Sequence, residues 1–335
     1  MKLLRTAALA LAGWLGAAAA HAADLNVYTI WPENYARPMF QEFEKQTGIK
    51  VNFLRFSSGE ALARVIAEKN NPRIDVLFGG PVETFAAGIK EGIFEPYKSP
   101  SFAKLPARFK QADGQWTAIA DDPLVFMTNA AFLKTNNLKP PASWDDLLNP
   151  AYKNSLQMAD ARTSGTAVTR IFSVLEVNGR DEDKAFAYLK KLRPNVQVYT
   201  KSGGGGTLPT GLGQAAGGIF FIVDALETKA KGYDVVISFP KEGIGTSAEA
   251  IALIKGAKNA DAGKKLIDFA TSAAMQSKLS EHKVNFVPAN PDVKTDPALA
   301  EVLKGAKIFP IDDDYAGANR KRIIDRWVKE VLPAQ

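Results

Sequence analysis

The sequence predicts an α/β fold in two lobes, and three observations carry that prediction. From Leu25 onward, short apolar runs of strand length alternate with segments of helical periodicity, as a parallel sheet with crossover helices requires. The turns that follow those runs are rich in glycine and hydroxyl residues, among them Ser57-Ser58-Gly59, Gly79-Gly80-Pro81 and Ser164-Gly165-Thr166. The third observation is length. Once an N-terminal leader is set aside, roughly 310 residues remain, which favours two lobes over one.

The leader is the first element. Lys2 and Arg5 make a short basic start, an apolar run extends from Ala7 to Ala20, and Ala20-His21-Ala22 is the small-x-small pattern that signal peptidase cleaves. Residues 1–22 therefore read as a signal peptide, leaving a soluble periplasmic protein that begins at Ala23. The apolar run is short for a membrane span, and nothing later in the chain reaches its length.

Composition removes several function classes. The formal charge of +6 falls to about +4 without Lys2 and Arg5, and the excess is spread out. No dense Lys/Arg run points to nucleic acid, whereas a mild positive field suits an anionic ligand. The chain has no cysteine, which removes disulfides, thiolate metal sites and thiol nucleophiles. His21 leaves with the leader, so a catalytic triad would have to use His282, and a multi-histidine zinc site is excluded. No catalytic residue, cofactor or metal is called for.

Leu25 to Ile30 is the first strand, ending at Trp31. A helix carrying Phe40 and Phe43 follows and stops at Gly48. Val51 to Phe56 is the second strand, and Ser57-Ser58-Gly59-Glu60 opens the next helix; Asp75 to Phe78 is the third strand, ending at Gly79-Gly80. In parallel sheets ligands sit at the carboxyl ends of strands, where Trp31, Ser57, Ser58, Gly59 and Gly80 all fall. The same residues also suit ordinary turns.

After a loop from Ile93 to Gln115, Pro123 to Asn129 is an extended apolar segment able to carry the chain into a second lobe. Leu156 to Ala159 is a strand that feeds Asp160-Ala161-Arg162-Thr163-Ser164-Gly165-Thr166-Ala167. Val168, Ile171, Phe172 and Leu175 then recur on one helical face. A hydroxyl-rich turn entering a helix N-terminus offers unpaired amides and partial positive charge to an anion, with Gly165 allowing close approach and Arg162 and Arg170 adding charge at the rim. A plain N-cap reads the same way.

A helix from Asp181 to Arg193, a strand from Val196 to Tyr199 and the loop Ser202-Gly203-Gly204-Gly205-Gly206-Thr207 come next. The loop lacks the lysine of a Walker motif but can wrap a ligand through backbone amides around Gly204. Ile219 to Val223 is a buried strand ending in Asp224, an acid suited to ligand hydroxyls or amines, or to capping the helix after it. Tyr233 to Phe239 is a candidate return crossing, followed by Glu242-Gly243, Thr246 and Ser247. Ala250 to Ile254 is a strand, Asp261 to His282 a long helix, and Tyr315 to Leu332 a terminal helix with Ile323, Trp327 and Leu332 inward.

Pro140 to Lys153, Ser164 to Ala167, Glu242-Gly243 and the run Ala250 to Asn259, with Ala262 to Phe269 and Gln276, together resemble the periplasmic solute-binding proteins of ABC importers. The nearest group is the type II cluster that binds ferric iron, thiamine, phosphonates and sugar phosphates. The resemblance spans the mature chain. It implies a two-lobed type II periplasmic binding protein fold with two crossing hinge strands, closing over a ligand by hinge motion. Lobe 1 is expected at residues 23–122 plus 240–300 and lobe 2 at 123–239, with the C-terminal helices of 301–335 assigned to neither.

Iron-binding members place adjacent tyrosines after the second-lobe strand, where this chain has Phe220 and Phe221, which offer a hard ferric ion no oxygen. Tyr28, Tyr199 and Tyr233 keep an iron site as the alternative. Resembling sugar-phosphate binders hold sugar hydroxyls with an acid pair; Asp224 is one member here, and Ser247 stands at the second position. The expected ligand is a small organic anion, most simply phosphorylated (a sugar phosphate, phosphonate or phosphodiester). It is held by Ser57, Ser58, Gly59, Gly80, Ser164, Gly165, Thr166 and Gly204. Asp224, Glu242 and Ser247 read its polar remainder and Trp31 packs on its apolar face. The expected partner is an inner-membrane ABC permease, the expected state a monomer, and a hydrolase on the same fold is the alternative of another class.

Overall fold

Leu25-Asn26-Val27-Tyr28-Thr29 alternates across a sheet and forms β1 (Leu25–Thr29) in a computed structural model that describes residues 24–332. The signal peptide expected at residues 1–22 lies outside the described residues. Helix α1 (Glu33–Thr47) buries Tyr35, Met39, Phe40 and Phe43 and ends at Gly48, whose φ of 71° takes the left-handed conformation that lets its amide close on Glu44. Strand β2 (Val51–Arg55), α2 (Ser58–Glu68), β3 (Val76–Pro81) and α3 (Val82–Lys90) repeat the unit. Ser57 and Glu60 form a capping box at the start of α2, with the Glu60 carboxylate accepting the Ser57 amide at 3.4 Å. The short β4 (Phe94–Glu95) follows.

Strand β5 (Thr117–Asn129) is buried along its whole length and links the two halves of the sheet. Its first part, Thr117 to Pro123, pairs antiparallel with β10 (Ile244–Ile254), and Leu124 to Thr128 pairs with β8 (Gly217–Phe221). Between them lie α4 (Ala130–Thr135), β6 (Leu156–Ala159), α5 (Gly165–Val177), α6 (Glu182–Leu192), β7 (Val196–Thr200) and α7 (Thr207–Gly211). After β8 come α8 (Ile222–Ala230) and β9 (Val235–Ser238). The strand order β2-β1-β3-β10-β5-β8-β6-β7 thus joins a parallel trio on each side through two antiparallel central strands.

Two boundaries differ from the sequence reading. Tyr233 to Phe239 does not make the return crossing: β9 pairs with the second part of β5 and stays in that half. The chain turns at Gly243 (φ 106°) and comes back as β10, whose Thr246 stands opposite Pro123. An apolar extended run reads alike as an edge strand or a crossing strand, so periodicity could not separate them. The long helix expected over Asp261–His282 is α9 (Ala260–Thr271) and a short α10 (Ala273–Gln276). The break falls at Ser272, whose hydroxyl accepts the Met275 amide at 3.1 Å and restarts the helix.

Strand β11 (Val287–Pro288), α11 (Pro297–Leu303) and β12 (Ile308–Pro310) lead to α12 (Asp313–Glu330). This last helix packs on α3 from one half and on α5 and α6 from the other. Trp327 is fully buried edge-on to Tyr199, and Arg322 pairs with Glu182 at 2.6 Å.

Candidate functional site

A pocket of about 460 Å³ lies between the two halves of the sheet, at the carboxyl ends of the parallel strands. The chain delivers helix N-termini to it from both sides. Pro32 precedes α1, Ser57 and Ser58 open α2, Gly80 and Pro81 precede α3, Ser164 to Thr166 open α5, and Phe221 to Asp224 open α8. Gly203 and Gly204, in the turn after β7, complete the wall. Each helix adds partial positive charge at the same point.

The cradle for an anion is built from α2 and α5. Ser58, Ser164 and Thr166 are buried to within 6 % of full, yet among the described residues their hydroxyls make no hydrogen bond to protein. Ser164 occupies the N-cap position of α5 without capping it. The first amide of α5 to bond back is Val168, onto the Ser164 carbonyl, so those of Gly165 and Thr166 precede the helix's own acceptors. Gly165 is required by packing: a Cβ there would lie 2.7 Å from both Pro81 and the Ser58 hydroxyl. Arg55 lines the same side and donates to the Ser57 hydroxyl at 3.3 Å.

Acids line another part of the pocket. Glu249 accepts the Trp31 indole N–H at 2.7 Å and the Gly80 amide at 2.6 Å. Asp224 accepts the Tyr35 hydroxyl at 3.3 Å, and Asp122 accepts the Val223 amide at 3.4 Å. Loss of hydration pushes the Asp224 carboxyl up to about 6 and raises Asp122 and Glu249 well above the ordinary carboxylate range, the two being close enough to repel each other. The phenol of Tyr35 is likewise raised, by burial and by Asp224.

The raised acids give the empty protein a pH dependence. Folded Asp224 holds a proton that the unfolded chain releases between about pH 4 and pH 6, so stability falls as pH rises through that window. Thermal unfolding of the ligand-free protein should therefore show a lower midpoint at pH 7 than at pH 5, and Asp224→Asn should shrink the difference. An unchanged difference in that variant would mean Asp224 keeps an ordinary pKa.

The structure brings Trp31, Ser57, Ser58, Gly80, Ser164, Gly165, Thr166, Gly204 and Asp224 to this pocket. Three expected residues lie elsewhere. Glu242 accepts the Ser143 hydroxyl at 2.6 Å and the Trp144 amide at 3.4 Å, so it caps the short helical turn Trp144–Leu148 and does not line the pocket. Ser247 is turned to the start of α3, donating to Glu83 at 2.6 Å and accepting the Val82 amide at 3.3 Å. The acid that β10 offers the pocket is Glu249, two residues on, beside a shift in register at Ala250. Gly59 does not line the pocket; its amide donates to the Thr163 carbonyl at 2.8 Å, across the gap between the halves.

Trp31 does not offer a free face either. It stacks on Phe286, centroids 4.4 Å apart, and orients Glu249. Arg170 is buried inside α5 rather than at the rim, while Arg162 pairs with Asp160 at 2.7 Å on the surface. Of the tyrosines, Tyr35 lines the pocket, and Tyr28, Tyr199 and Tyr233 do not.

Sequence reasoning missed Tyr35, Arg55, Asp122, Glu249 and Phe286. Asp122 and Glu249 carried a signal, each being an acid inside a largely apolar strand.

Contacts across the gap surround the pocket: the Glu227 carboxylate accepts the Tyr35 hydroxyl at 2.5 Å and the Asn34 amide at 3.0 Å, and Lys201 pairs with Glu60 at 2.7 Å.

Comparison with known proteins agrees with this fold. Residues 38–306 match the model of the bacterial extracellular solute-binding protein family. The periplasmic binding protein AfuA of Actinobacillus pleuropneumoniae, solved with fructose-6-phosphate bound, superposes with a TM-score of 0.88 at 31% identity, covering 93% of this chain and 99% of that one. An uncharacterised protein of Haemophilus influenzae is 33% identical over 88% of this chain and 86% of its own. A candidate 2-aminoethylphosphonate-binding periplasmic protein of Salmonella typhimurium is 27% identical over 98% of each.

Proposed function

Because the chain belongs to the bacterial extracellular solute-binding proteins and serves as the substrate-binding protein of an ABC importer, we propose that its ligand is a small organic anion carrying a phosphoryl or phosphonyl group. The observation that carries this reading is the convergence of the Ser58, Ser164 and Thr166 hydroxyls, without a protein partner among the described residues, with the Gly165 and Thr166 amides that open α5. The fructose-6-phosphate of AfuA and the phosphonate named for the Salmonella relative support it.

The chemistry follows from the geometry. A phosphoryl group presents several acceptor oxygens and negative charge, and hydroxyl or amide donors to a charged oxygen make the stronger class of hydrogen bond. Because α2 and α5 belong to opposite halves of the sheet, one anion bonded to both ties the halves together. Exclusion of water on closing strengthens each of those bonds. Closure is also the message to the permease, through preference for the liganded, closed form. In this proposal residues 23–122 with 244–300 move against 123–243, export is directed by residues 1–22, and the protein acts as a periplasmic monomer that binds without turnover.

Thermal unfolding of the refolded, ligand-free protein tests the reading. Phosphate and phosphonate esters should raise the midpoint, by an amount equivalent to about 2.7 kcal/mol at a hundred times Kd, while their neutral alcohols should not. A rise with ferric citrate and with no phosphorylated compound would replace the reading with the iron alternative.

A further inference from the structure

One helical turn away from the pocket, helices from both halves of the sheet meet at a buried polar junction. Glu83, in the first turn of α3, is fully buried, and both of its carboxyl oxygens are taken. The Thr169 hydroxyl of α5 donates to one, and the Ser247 hydroxyl of β10 donates to the other at 2.6 Å. Glu83 follows Gly80 and Pro81, and Thr169 stands one turn beyond Gly165, so each lies on a helix whose opening lines the pocket. The Thr169 bond joins the two halves and lasts only while α3 and α5 meet.

Arg320 of α12 enters the same junction. It is 8% exposed, its Nε and Nη2 have no hydrogen-bond partner among the described residues, and Glu83 is the acid whose charge acts on it. Burial pushes the Glu83 carboxyl up and the Arg320 guanidinium down, as expected of opposite charges taken out of water without bonding each other.

Two features make these partners exchangeable. Thr169 also reaches the Gly165 carbonyl of its own helix at 3.1 Å, so its hydroxyl keeps an acceptor on leaving Glu83. Arg320 is held beside α3 by close packing: a Cβ on Gly317, one turn earlier in α12, would lie 2.5 Å from the Ala86 Cβ. The later part of α12 reaches the other half instead, through Glu182 and Tyr199. Arg320 therefore sits where the helix passes from one half to the other.

We propose that Glu83 is a two-position latch for lobe closure, bonded to Thr169 when the halves meet and paired with Arg320 when they part. The latch rests on the hinged closure described above and requires no particular ligand. In the closed form Thr169 supplies a donor to an acid, and in the open form the Arg320 pair offsets its loss. Thr169 and Arg320 are opposing positioning residues, and neither lines the pocket.

Calorimetric titration with fructose-6-phosphate and with 2-aminoethylphosphonate, together with small-angle X-ray scattering of the ligand-free protein, tests the latch. Thr169→Val should weaken binding about tenfold, and Arg320→Met should strengthen it about threefold or more. Glu83→Gln keeps an oxygen for Thr169 but no charge for Arg320, so it should act as Arg320→Met does. Both of these variants should also give the ligand-free protein a smaller radius of gyration. If Arg320→Met fails to fold, Glu83→Gln decides. Affinity changes of the same sign in Thr169→Val and Glu83→Gln overturn the latch, as do lowered melting points with unchanged affinities, which make the junction a static contact. If neither compound binds, which counts against the phosphoryl reading and not the latch, the radius of gyration decides: a smaller value supports the latch and an unchanged one overturns it.

Discussion

Replacing Ser164 and Thr166 together by alanine is expected to weaken binding of a phosphorylated ligand by about 10²–10⁴-fold, at little cost to the empty protein. Each hydroxyl is buried, faces the pocket and has no protein partner among the described residues, so its donor is free for an anionic oxygen. Hydrogen bonds to charged groups contribute about 1.5–3 kcal/mol each, which sets the combined range. The competing role for Ser164, a helix N-cap, makes the opposite prediction. A lost cap costs about 1 kcal/mol of stability, but the Ser164 side chain caps nothing here. Calorimetric titration and thermal unfolding of the same variant separate the two: a large loss of affinity with an unchanged melting point supports the cradle, and a lowered melting point with unchanged affinity makes Ser164 a structural residue.

Gly59→Ala is expected to move affinity and stability in opposite directions. Gly59 lies in the first turn of α2, where a Cβ would run into the Arg162 backbone carbonyl and stand 3.2 Å from the Thr163 Cα. Those atoms are main chain on the other half of the sheet and cannot move aside by a rotamer change. Overpacking of this kind costs about 1–3 kcal/mol, so ligand affinity should fall by about 10–100-fold. The clash exists only when the halves meet. In the open protein, alanine suits a helix better than glycine by up to about 1 kcal/mol, and the melting point of the empty protein should hold or rise. A variant that binds normally would show that closure does not bring α2 against the Arg162–Thr163 turn.

Local chemistry made part of this legible in the sequence. The β1 to α3 alternation is visible because apolar periodicity, the Ser57–Glu60 capping box and the Gly48 stop each depend on a few neighbouring residues. Ser58, Ser164, Gly165 and Thr166 were legible for the same reason: a hydroxyl-rich entry to a helix is a short-range pattern. What escaped depends on pairing across the chain. Trp31 and Glu249 are 218 positions apart and meet because β10 inserts beside β3. A register shift at Ala250 accompanies the offering of Glu249, and Ser247 is spent on Glu83. Asp122 reaches the pocket floor because β5 changes neighbours at Pro123 and Leu124, a feature no window of residues displays. Glu242 misled because its partner, Ser143, is 99 residues away.

The most direct measurement is the ³¹P resonance of a bound phosphate ester, followed between about pH 5 and pH 8, where a free monoester titrates. A phosphoryl group enclosed between α2 and α5 gives a separate resonance that stays fixed across that range and disappears in the Ser164→Ala, Thr166→Ala double variant. A resonance that follows the free ligand's titration, or persists unchanged in the double variant, would place the phosphorus in solvent and contradict the cradle.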